Sequence, residues 1–144
     1  MLPEATGEWQ VAHLPQALAG IWDEAINVFR VQANASAVVQ CGRVLEQAAT
    51  ERNIEGRTLQ ARITKMAAEG HITAEFSAVM DYVRLIRNVG AHAGRDVSRE
   101  SAEGTMRFTQ QTLRLLFEVP GELKKLTTRP PELDESTGAE EETE

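Results

Sequence analysis

Apolar residues return every third or fourth position along most of this 144-residue chain, and that spacing constrains the fold more than any other feature. Leu18, Ile21, Trp22, Ala25, Ile26 and Phe29 mark one stripe, and Ala37, Val38, Cys41, Val44, Leu45 and Ala48 the next. Leu59, Ile63, Met66 and Ala67 follow, then Phe76, Val79, Met80, Val83 and Ile86, and last Ala102, Met106, Leu113, Leu116 and Phe117. No alternating run reads as a strand. The punctuation agrees with five helices. Leu14-Pro15 opens the first, which runs to about Val31, with Pro15 near the first helical position. The second spans roughly Ala35 to Glu51, and the third Thr58 to Glu69, with Gly70 where a C-cap favours glycine. Thr73 caps the fourth, and Gly90 and Gly94 weaken its end. Ser98 caps the fifth, which runs to about Glu118 before Pro120-Gly121 stops it, leaving residues 122–127 at most one further turn. The expectation is an all-α chain, a five-helix bundle joined by short loops.

Charge divides the chain unevenly. Of a net −7, residues 128–144 contribute −6 through Glu132, Asp134, Glu135, Glu140, Glu141, Glu142 and Glu144 against Arg129 alone. That segment, rich in Pro, Glu, Thr and Ser, lacks the apolar surface to order itself and reads as a disordered acidic tail. The domain plan is therefore an irregular lead-in over 1–13, a helical domain over 14–127 and the tail over 128–144. The nearly neutral body argues against a broad nucleic-acid footprint. Arg84, Arg87, Arg95 and Arg99 nevertheless fall in one short stretch, onto which the tail could fold as a nucleic-acid mimic. A single cysteine excludes an internal disulfide. The start shows neither a basic n-region nor an apolar h-region, and no apolar run reaches the length of a membrane span, so the expected location is the cytoplasm with no membrane partner.

One segment carries pointed chemistry: Arg87-Asn88-Val89-Gly90-Ala91-His92. At about 100° per residue, Arg87 falls in line with the apolar stripe of the fourth helix, so its charge needs a partner. The bland answer is a carboxylate such as Glu46 on the second helix, with His92 serving only its loop. The functional answer is an anion. Arginine offers a planar fork to phosphate oxygens, and histidine moves protons near neutral pH. Gly90 could let the chain turn His92 back toward Arg87. Such a pair can cleave RNA without a metal: the 2′-hydroxyl attacks the phosphate, histidine handles the proton and arginine stabilises the developing charge. A two-fold dimer would supply a second histidine, and Leu85, which its spacing places as an apolar residue on a face that should be wet, suits an interface beside the motif.

The other reactive side chains read as structural. Cys41 sits on the inner face of the second helix, while His13 and His71 sit in a lead-in and a turn. Three histidines and one cysteine lack metal-ligand spacing, and no glycine-rich phosphate loop follows a strand. Neither a metal nor a cofactor is expected. Trp9 and Trp22 read as core residues, and four Phe, two Trp and one Tyr are too few for a base-stacking surface.

Taken in order, Leu14-Pro15, Ala37-Val38-Val39 leading to Arg43-Val44-Leu45-Glu46, the Thr58-Leu59 helix, Arg84-Leu85-Ile86-Arg87-Asn88 and Ala91-His92 resemble the domain-of-unknown-function family numbered 4145 over roughly residues 12–120. That family is placed in the HEPN superfamily. The resemblance implies a HEPN-like bundle, often a homodimer, and an Arg-x4–6-His motif that Arg87 and His92 match, with Asn88 as the polar residue after the arginine. It also implies a defence or toxin context. Two functions follow. One is a metal-independent endoribonuclease in which Arg87 holds the phosphate, His92 transfers the proton, Asn88 orients one of them, and Arg84 and Arg95 add phosphate contacts. The other is a non-catalytic dimerisation, adaptor or nucleotide-binding module with a protein partner in a defence complex.

Overall fold

A computed structural model describes residues 7–75, 77, 78, 81, 83, 85 and 97–128. The tail beyond Thr128, and Phe76, Val79, Met80 and Ile86 of the fourth apolar stripe, lie outside the described residues. The described chain is all-helical. Helix α1 covers Gln16–Arg30, α2 Asn34–Glu51 and α3 Leu59–Ala68. Helix α4 is described at 74, 75, 77, 78, 81, 83 and 85. The fifth helical run comprises α5 (Arg99–Leu113), a π-helical turn (Arg114–Glu118) and α6 (Val119–Thr128) without a break. No described helix is long and apolar enough to cross a membrane.

Helix α2 is the centre of the bundle and packs against α1, α5 and α3. Apart from Leu45 its buried apolar residues are small, Ala37, Val38, Cys41, Val44, Ala48 and Ala49, which lets neighbouring helices approach closely. Leu18, Trp22, Ala25, Ile26 and Phe29 complete the core from α1, and Met106, Leu113, Leu116 and Phe117 from the fifth run. The seam on α5 also contains Thr105, Thr109 and Thr112, all buried. Each hydroxyl donates to the carbonyl four residues back, Ser101 O, Thr105 O and Phe108 O, at 2.8 Å, so none of the three is left without an acceptor.

Three helices end alike. After α1, α2 and α3 the residues Gln32, Asn53 and Gly70 take positive φ (66°, 61° and 83°). The amide one residue further on bonds back: Ala33 N to Val28 O at 3.2 Å, Ile54 N to Ala49 O at 2.8 Å and His71 N to Met66 O at 2.9 Å. This is the Schellman closure. Ser98 Oγ caps α5 as expected, accepting from Ser101 N at 3.0 Å, and Thr58 is the N-cap of α3 rather than its first residue, its Oγ1 accepting from Ala61 N at 3.1 Å. Pro15 is the N-cap of α1 rather than its first helical residue.

Pro120 does not stop the last helix. A proline inside a helix cannot donate to the carbonyl four residues back, here Leu116 O. Arg52 Nη1 donates to that carbonyl instead, at 2.6 Å. The π turn, closed by Val119 N on Arg114 O, takes up one extra residue just before the proline. The helix therefore continues to Thr128.

The described part of the lead-in packs on the bundle. Trp9 is buried, meets Trp22 and Phe29 edge to face at 6.4 and 5.6 Å, and its carbonyl accepts from Trp22 Nε1 at 2.9 Å. A polar seam on the fifth helical run fixes the rest of the strap. Arg107 Nη2 donates to Glu8 Oε2 at 3.0 Å, Gln110 Nε2 to Glu8 O at 3.1 Å and Arg114 Nη2 to Gln10 O at 3.3 Å. Glu118 Oε1 accepts from Ala12 N at 3.0 Å, and His13 Nε2 meets Glu122 Oε2 at 2.7 Å.

Candidate functional site

Arg87, Asn88 and His92, together with Arg84 and Arg95, lie outside the described residues, as does the expected Arg87–Glu46 pairing. What the structure describes is the frame on either side. On the near side, Val83 of α4 is buried in the core and Leu85 is 53% exposed. A helix explains both, since two residues rotate it by about 200° and carry the side chain to the opposite face. The exposed Leu85 agrees with the expectation from its spacing.

On the far side the chain is fixed to the end of α1. Asn34 Nδ2 donates to Val97 O at 3.2 Å, and Ser98 caps α5. Arg99 Nη1 donates to Phe29 O at 2.7 Å and to Asn34 Oδ1 at 3.1 Å, and its guanidinium lies 3.6 Å from the Phe29 ring centroid. A cation on the last carbonyls of a helix is favoured by their partial negative charge. Arg99, expected as part of a basic stretch, is thus a clamp between α1 and α5. The segment holding the motif lies between residue 85 of α4 and this anchor.

A second cluster was not anticipated from the sequence. Besides Leu116 O, Arg52 reaches His71, with Nη2 at 3.4 Å from Nδ1, and His71 Nε2 lies 3.3 Å from Glu69 Oε1. A guanidinium only donates, so Nδ1 is the acceptor and Nε2 carries the proton toward the carboxylate. The cluster joins the end of α2, the α3–α4 turn and the π turn. Residues 19 and 64 positions from Arg52 meet there, a separation that no local pattern encodes.

A shallow cleft of about 230 Å³ lies at the start of α3, lined by Glu46, Gly56, Arg57, Thr58, Leu59 and Arg62. Arg62 is bonded to the protein: Nη1 donates to Glu46 O at 2.9 Å and to Thr50 Oγ1 at 3.1 Å, and Nε to Gly56 O at 3.3 Å. A side chain at Gly56 would come within 2.9 Å of Arg62 Cγ, so the glycine makes room for this arginine.

The remaining candidates resolve by burial. Cys41 is fully enclosed, 3.5 Å from Met106 Sδ; burial pushes its thiol up to about 12, with only a partial offset from a hydrogen bond to Thr109. Such a thiol is not a nucleophile at neutral pH. His13 is exposed, and its hydrogen bond to Glu122 holds that carboxylate below the ordinary glutamate value, with Lys125 adding to the effect. Gly121 lets the His13 ring lie on the helix: a Cβ there would sit 2.5 Å from His13 Cγ. Among the described residues no group of three His, Cys, Asp or Glu could hold a metal ion.

No curated protein and no solved structure matches this chain. A family model described as Domain of unknown function (DUF4145) matches residues 23–129, from within α1 to just past α6. That span is well over half of the chain, and the protein belongs to this family.

Proposed function

We propose that this family member is a HEPN-like, metal-independent endoribonuclease of a toxin or phage-defence system. The observation that carries the reading is an Arg-x4-His sequence between a helix described to residue 85 and one N-capped at Ser98, in an all-helical bundle. Arg87 binds the scissile phosphate through its fork and stabilises the charge that develops on its oxygens. His92 transfers the proton and Asn88 orients one of the two, while Arg84 and Arg95 contact neighbouring phosphates. The 2′-hydroxyl oxygen bonds to phosphorus as its proton leaves, and the bond to the 5′ oxygen breaks as that oxygen gains a proton. The products are a 2′,3′-cyclic phosphate and a 5′-hydroxyl. One motif supplies one histidine, so a two-fold pair of chains would provide separate base and acid.

A second reading, a non-catalytic adaptor or nucleotide-binding module, is favoured by one observation. Arg52, Arg62, Arg99 and Arg114 all donate to backbone carbonyls of the protein itself, which commits these four cations to the fold rather than to an RNA backbone. Incubation of the protein with mixed structured and single-stranded RNA in EDTA separates the two. The ribonuclease reading expects cleavage to cyclic-phosphate ends by the wild type and none by Arg87→Ala/His92→Ala. Intact RNA after incubation with folded wild type sinks it and favours the adaptor.

A further inference from the structure

Between Gly7 and His13 the strap buries one side chain, Trp9; Val11 is half-buried and the rest are exposed. Its other ties to the bundle are polar and run to the fifth helical run. Few buried apolar contacts and many exposed hydrogen bonds mark a segment that can open without the rest of a fold. The junction with α1 is strained as well. His13 takes a φ of 69°, an uncommon conformation for a residue with a Cβ.

Charges of opposite sign alternate along the contact. Arg107 bonds Glu8 of the strap at 3.0 Å and Glu103 of its own helix at 3.2 Å. Arg114 donates to Gln10 O and lies 3.8 Å from Glu118, whose carboxylate accepts from Ala12 N. His13 meets Glu122, and Lys125 acts on the same carboxylate. On α1 the strap meets Trp22 and Phe29, which carry no charge.

We propose that the strap is a latch that opens as a unit while the bundle stays folded, and that acid drives the opening. Protonating Glu8, Glu103, Glu118 and Glu122 takes every negative charge out of the contact. Arg107, Arg114, Lys125 and His13 remain, all cations at that pH. The acceptors of Ala12 N and of His13 weaken together, since a carboxylate accepts more strongly than its neutral acid. Glu122, held below its ordinary value first by His13 and then by Lys125, adds its share above the normal glutamate range and loses it as pH falls through the lowered value. Trp9 then holds the strap almost alone. An open latch bares the Trp22 and Phe29 rings that Trp9 covers and removes the acceptor of Trp22 Nε1. This inference does not rest on the ribonuclease reading.

Hydrogen exchange on the full chain, followed by NMR and corrected for the intrinsic rate at each pH, tests it. The Trp22 indole N–H reports the latch, because Trp9 O is its acceptor. The amide of Leu45, buried on the central helix α2, reports the bundle. The indole should open with a larger equilibrium constant than Leu45 at every pH. That constant should rise about tenfold from neutral pH to about pH 4, as several weak surface ties are lost together. Glu8→Gln/Glu122→Gln, at exposed positions, should open more readily at neutral pH and flatten the rise. An indole that opens only as often as Leu45 overturns the proposal, because the strap would then leave only with the whole fold. An opening constant that does not change with pH overturns it too, as does a rise left intact in the double variant.

Discussion

Replacing Arg52 with methionine should destabilise the fold by about 2 kcal/mol, because it leaves the Leu116 carbonyl inside the protein without a donor. The magnitude comes from two facts. Leu116 is buried, so water does not readily replace the lost partner, and its bond to Arg52 is short and charge-assisted at 2.6 Å. Hydrogen bonds to charged groups contribute about 1.5–3 kcal/mol, and Arg52 is only half-buried, which places the expected cost in the middle of that range. The 3.4 Å contact with His71 adds little. Methionine keeps most of the aliphatic volume, so the loss reports the guanidinium. Urea denaturation gives the value as a shift in midpoint at constant slope. The proline supplies the decisive control. Pro120→Ala returns an N–H four residues after Leu116, so it should recover about 1 kcal/mol in the Arg52→Met background and less beside Arg52, where the carbonyl is already bonded. Arg52→Met within about 0.5 kcal/mol of the wild type would refute the argument, since surface substitutions without such a role fall in that range. A Pro120→Ala effect equal in both backgrounds would refute the link between the two residues.

Two further outcomes follow from the environments of single groups. Cys41, buried and pushed up to about 12, should resist a thiol reagent in native buffer and react at once in denaturant; rapid native labelling would mean that α2 and α5 separate readily. Glu122 is held below its ordinary value chiefly by His13, so this pair adds stability above the normal glutamate range, and the addition is lost as pH falls through the lowered value. Glu122→Gln should therefore flatten part of the acid limb of the stability profile, and an unchanged limb would remove the pair as a contributor.

The five helical runs, the cap at Ser98, the C-terminal Gly70 and the burial of Trp22 and Cys41 were all legible in the sequence. Each depends on residues within a few positions of one another: a 3.6-residue period, a side-chain oxygen near the first free amides, a glycine able to take positive φ. The buried threonines of α5 were not legible as core, because a threonine looks polar until its hydroxyl finds the carbonyl of its own preceding turn. Gln32 gave no sign of its positive φ either, since the closing bonds of α1 impose it.

Part of the frame around the motif was legible as well: spacing alone marked Leu85 as an apolar residue on a wet face, and it is exposed. The uses of arginine were not. Arg99 in a basic stretch looks ready for phosphate, yet it closes the end of α1. Arg52 looks like one more surface cation, yet it serves a carbonyl 64 residues away. By itself the sequence determined where helices form and which faces turn inward, because backbone hydrogen bonding and apolar periodicity are local. Tertiary structure alone decided that Pro120 does not end the last helix, that the lead-in becomes a strap, and that an apolar arm extends beyond the core. In each case the deciding partner comes from a distant part of the chain, or none of the described residues supplies one, and no local pattern carries that information.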